Sequence, residues 1–152
     1  MRNVIAVVLF SAFLAGSPCL FASHIENAVP DPSELAALEA EASQAAPRDR
    51  CFLYAKVVDE MTLLAGHQLE TGQLGQASAT LLSIQRYAQQ IRKEIAQDSR
   101  RLKNAEVLMQ HTSFRLQDIL RSASYENRPP LEATLKQLNQ VQSQLMMQVF
   151  NK

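Results

Sequence analysis

Histidine, cysteine and methionine side chains are the first places to look for chemistry, and the chain holds three, two and five of them respectively. A di-iron centre in a helical bundle needs two Glu-x-x-His pairs and two further inward glutamates. His67 has Leu64 three places before it and Glu70 after it, and His111 has Leu108 at the corresponding place, so the pattern is absent. Axial haem ligation by His and Met has candidates in Met61, Met109, Met146 and Met147. There is no Cys-x-x-Cys-His, however, and methionine on an apolar stripe serves as filler. Cys51 with a distant histidine has the elements of a nucleophile and base, with nothing around it to support the pairing. Beyond Gly16 the glycines are Gly66, Gly72 and Gly75, which build no phosphate-cradling loop, and neither Gly-x-Ser-x-Gly nor His-Glu-x-x-His occurs. Arg92, Lys93, Arg100, Arg101 and Lys103 form a basic cluster. It is interrupted by Glu94 and Asp98 and lacks neighbouring aromatics, which argues against a nucleic-acid surface. Asp59-Glu60 reads as a solvated helix edge. The expectation is a non-enzymatic protein with no cofactor, no metal site and no nucleic-acid partner.

The elements that would position any site are helices. From Leu74 to Ala123 an apolar or small residue recurs at spacings of three and four, through Leu81, Ile84, Ala88, Ile91, Ile95, Leu102, Ala105, Met109, Leu116 and Ile119, with Asp98 the one strong exception. That spacing places all of them on one face of an α-helix. The stripe stays in phase across Asp98, and Arg100 to Lys103 are good helix formers. The pattern therefore predicts one long helix, about 75 Å at about 1.5 Å per residue. Its first half should pair with a helix from Cys51 to about Glu70, and its second half with one from Leu131 to Phe150. The predicted fold is all-α, antiparallel helical hairpins or a bundle built on that long central helix, with coiled-coil character. The alternative is a compact four-helix bundle broken at Gln97-Asp98-Ser99. Asp31-Pro32-Ser33-Glu34 predicts a further short helix start, with Asp31 as cap, and Gln44 to Arg50 reads as a linker.

The beginning of the chain has the three-part layout of an export signal: Met1-Arg2-Asn3, an apolar run from Val4 to Gly16, and Ser17-Pro18 before Cys19-Leu20-Phe21-Ala22. The expected division is residues 1–22 as signal peptide, 23–30 as a flexible lead-in and 31–152 as one helical domain. It implies a periplasmic or secreted protein with no membrane span after cleavage. Lys plus Arg and Asp plus Glu balance at fifteen each. The distribution is uneven: His24 to Glu70 holds nine acidic residues against three basic ones, and Thr71 to Lys152 six against eleven. Opposite signs on neighbouring helices attract when the chain folds. Cys51, alone once the signal is removed, reads as a small buried apolar residue.

Leu64, Ala65, Gly72, Ala77, Leu81 and Ile84 resemble the small-and-large spacing of one tetratricopeptide helix pair, but the pattern does not recur at a period of about 34 residues. Taken whole, the chain resembles the small, signal-bearing, all-helical bacterial proteins of unknown function. Asp49-Arg50-Cys51-Phe52-Leu53-Tyr54-Ala55 and Leu135-Lys136-Gln137-Leu138-Asn139-Gln140-Val141-Gln142 carry that likeness, which implies no activity and no site.

One segment points to a partner. Arg86, Lys93 and Arg100 follow one another at seven-residue spacing on the face away from the stripe, but the same row continues with Val107 and Phe114. Leu108 and Leu120 widen the apolar surface, so Leu102 to Leu120 reads as buried on two sides, covered by the Leu35 helix, a second copy or another protein. Val107, Phe114, Leu108 and Leu120 are the expected partner-binding residues. The expected function is an exported helical interaction or scaffold module of the cell envelope. The alternatives are a small bundle binding a ligand, haem or metal, or an envelope enzyme of unrecognised type.

Overall fold

A computed structural model of the protein describes residues 28–95 and 99–150. The segment expected to be an export signal, the expected cleavage site and Asp98 lie outside the described residues. The elements are α1 (Pro32–Gln44), α2 (Pro47–Glu70), α3 (Leu74–Glu94), α4 (Leu102–Ser122), a 3-10 turn at Tyr125–Asn127 and α5 (Arg128–Phe150). All are helical, with no strand among the described residues. None is long and apolar enough to cross a membrane.

Helix starts follow local chemistry. Asp31 caps α1 by accepting from the Ser33 N–H at 2.7 Å, and Pro32 occupies the first turn, where a missing N–H is harmless. Pro47 does the same for α2, so that helix begins at Pro47 and the linker expected over 44–50 shrinks to little more than Ala45-Ala46. Pro129 and Pro130 likewise sit in the first turn of α5, which starts at Arg128 rather than Leu131. Gly72 reverses the chain between α2 and α3 with a φ of 74°, a left-handed conformation that glycine adopts without penalty.

The single long helix is not what forms. α3 stops at Glu94, where the Ser99 hydroxyl donates to the Glu94 carbonyl at 2.8 Å, and α4 begins at Leu102 after Arg101 in the left-handed region, φ 59°. The Arg100 N–H donates to the Arg48 carbonyl at 2.7 Å, and the Arg101 guanidinium lies 3.8 Å from the Phe52 ring centroid, tying the connection to the start of α2. The stripe remains in phase because both helices turn the same kind of face to one core. Periodicity records which way residues point, and an axis can reverse without disturbing it.

The bundle order follows from which helices touch. Neighbouring pairs are α2–α3, α3–α5, α5–α4 and α4–α2, so α3 and α4, consecutive in sequence, occupy a diagonal. α3 runs antiparallel to α2: Thr80 donates to Gln68 toward one end, and toward the other the tilted Tyr54 and Tyr87 rings lie 5.7 Å apart and Arg50 lies 3.9 Å from Glu94. α4 runs parallel to α2, meeting it at Phe52 with Arg101, Asp59 with Thr112 and Gly66 with Ile119. A Cβ on Gly66 would lie 3.0 Å from Ile119 Cδ1, so glycine permits that close approach. Each half of the stripe thus packs on both α2 and α5. The core between the four helices is formed by fully buried Val57, Val58, Leu81, Ile84, Ile91, Met109, Leu116, Leu131, Leu138 and Leu145, among others. α1 packs on α2, burying Leu35 and Ala42.

Candidate interaction surface

α4 turns Leu102, Ala105, Met109, Thr112 and Leu116 into the core, so helical geometry aims residues about half a turn away outward. Val107 and Phe114 lie there, 42% and 58% exposed, with Lys103, Gln110, His111 and Asp118 exposed beside them. α1 lies on α2 and leaves this crest uncovered; the segment is therefore not buried on two sides. Leu108 and Leu120 are half-buried and pack against the core. Of the four expected partner-binding residues, two stand on the outer surface and two support it from beneath.

A groove runs along each flank of the crest. Toward α2 it encloses about 610 Å³, with Phe52, Leu63, Val107 and Leu108 supplying apolar walls and Lys56, Lys103 and His111 polar edges. Toward α5 a smaller depression of about 220 Å³ lies between Phe114, Leu135 and amides such as Gln110 and Asn139, with the buried Ser113 hydroxyl unpartnered beneath it.

The sequence predicts a solvated edge at Asp59, and here the structure differs. Its carboxylate is only 16% exposed and accepts from the fully buried Thr112 hydroxyl at 2.7 Å and from the Arg115 guanidinium, joining α2 to α4 beneath the crest. The available signal was its setting: Asp59 interrupts Val57, Val58, Met61 and Thr62, all of which are buried. Glu60 beside it is pushed above the usual carboxylate range, by burial first and by the charge of Asp59 second.

The residues considered for chemistry do not converge. His67 and His111 are both exposed, and the α2–α4 register separates them by about 13.5 Å along the bundle at about 1.5 Å per residue. Met109 points into the core, away from His111. Among the described residues no group of three His, Cys, Asp or Glu side chains is placed to hold a metal ion. Cys51 is fully buried, and its thiol is pushed up to about 12, by burial first and then by the nearby Glu94 carboxylate. A thiol held protonated is a poor nucleophile. Compared with protein-family models, with curated proteins and with solved structures, the chain matches none. The crest therefore has to be interpreted from its own geometry.

Proposed function

We propose that this chain is an exported, non-enzymatic helical interaction module of the cell envelope, periplasmic or secreted, and that the α4 crest is its working surface. The observation that carries the reading is the exposure of Val107 and Phe114 on the outer face of a helix whose core-facing stripe is already complete. Exposed apolar residues that border an apolar groove mark binding surfaces, whereas those scattered singly are ordinary, and Val107 borders the groove with Phe52, Leu63 and Leu108. The α2-side groove is open to solvent along the crest, whereas a small-molecule site encloses most of its ligand, and this favours a protein partner. Export rests on the residues from Met1 to Ala22.

Site-specific photo-crosslinking in intact cells tests both parts. A photoreactive residue at Phe114 should give a discrete crosslinked product in the envelope or secreted fraction, while one at the exposed Lys93 on α3 should give none. Retention in the cytoplasm, or the same products from both positions, would refute the proposal.

A further inference from the structure

The crest of α4 has an internal symmetry. Lys103 lies as many residues before the midpoint between Gln110 and His111 as Asp118 lies after it, and Val107 and Phe114 are likewise equidistant from that point. All of these side chains are exposed. An antiparallel helix placed against this face about a two-fold axis at the midpoint would meet Val107 with Phe114, Phe114 with Val107, Lys103 with Asp118 and Asp118 with Lys103. We propose that the occupant of the crest is a second copy of this chain, docked α4 to α4 in antiparallel orientation about that axis.

A two-fold interface uses the same patch on both partners and so requires a surface complementary to itself. Within α4 the crest meets this requirement through Lys103 near its N-terminal end and Asp118 near its C-terminal end, with Val107 and Phe114 between them. A partner carrying charge of one sign would leave one end opposed by a like charge. Antiparallel alignment also opposes the helix dipoles favourably. Asp118 already pairs with Arg121 on its own helix at 2.7 Å, but both side chains are largely exposed, and such pairs contribute little and exchange readily. In the docked arrangement Arg121 falls level with Arg100 of the second copy, which precedes the first turn of the opposing α4; both side chains are exposed, and a like-charge pair in water costs little. One helix face per subunit lies at the small end of interface sizes, so the dimer should form in the micromolar range.

This inference rests on the crest being an interaction surface and adds its partner. The test is sedimentation velocity on the protein as isolated from cells, with the variants Lys103→Glu and Asp118→Lys. Both substitutions are on the surface and place charge favourably for the α4 dipole, so folding is retained. Wild type should dimerise. Each variant alone opposes two like pairs and should associate about tenfold more weakly. Their equimolar mixture restores two opposite pairs and should form a heterodimer about as strong as the wild-type dimer. The inference is overturned if wild type stays monomeric up to about 500 μM, well above the concentration range of a micromolar interface. It is equally overturned if the variants dimerise as wild type does, or if the mixture associates no better than its components. A monomer whose Phe114 position still crosslinks to a different protein in cells would remove the dimer and leave the interaction reading standing.

Discussion

Replacing Asp59 by Ala measures how strongly the parallel helices α2 and α4 are joined beneath the crest. The carboxylate accepts from the Thr112 hydroxyl and the Arg115 guanidinium. Hydrogen bonds to a charged group contribute about 1.5–3 kcal/mol each, and breaking a wholly buried ion pair costs about 3–5 kcal/mol. Both partners here have an outlet, which lowers the figure. Arg115 is 24% exposed and can return to water, and the Thr112 hydroxyl lies 2.8 Å from the Leu108 carbonyl, an acceptor it keeps when Asp59 is gone. The expected loss is about 2 kcal/mol, or about 8 °C in the melting midpoint for a domain of this size. Urea denaturation followed by helical circular dichroism, repeated with Arg115→Ala and the double variant, gives the coupling, expected at about 1 kcal/mol. A loss below about 0.5 kcal/mol with additive double substitution would mean the carboxylate is solvated, as its sequence setting first suggested, and the inter-helix link would be refuted.

Two further expectations concern the groove and the helix break. Glu60 is raised in the folded state, so the folded protein holds that proton more tightly than the unfolded chain, and the stability of wild type relative to Glu60→Gln should fall as pH rises above the ordinary carboxylate range. Denaturation of both proteins at about pH 4 and pH 7 checks this, and an unchanged difference would place Glu60 in open water. Arg101→Gly and Arg101→Ala both lose the contact with Phe52, but only glycine relieves the left-handed backbone, so the glycine variant should be more stable by about 1 kcal/mol. Equal stabilities would mean that Arg101 is not left-handed in solution.

The core was legible in the sequence because burial follows helical phase. Leu81, Ile84, Ala88, Ile91, Leu102, Ala105, Met109 and Leu116 all belong to the predicted stripe, and all are buried. The break within that stripe was legible only as the alternative, at Gln97-Asp98-Ser99, because what decides it are contacts distant in sequence: the Arg48 carbonyl takes the Arg100 N–H, and the Phe52 ring takes the Arg101 guanidinium. Asp59 shows the same limit. Its type and its charged neighbour suggested solvent, and its partners lie more than fifty residues ahead, on a helix whose direction depends on the break. The crest was half legible. Val107 and Phe114 were identifiable as residues off the stripe, but whether α1 covers them depends on which helix α1 chooses, and it chose α2.

The central claim, that Val107 and Phe114 form a working surface and are not core, is tested most directly by the variant carrying Val107→Glu and Phe114→Glu. Light scattering and thermal denaturation on the same samples give its mass and its stability together. The account predicts a folded protein with a melting midpoint close to wild type and with association lost. A wild-type monomer whose variant unfolds would contradict it, because the two side chains would then be holding the fold together and the crest would have no partner to explain.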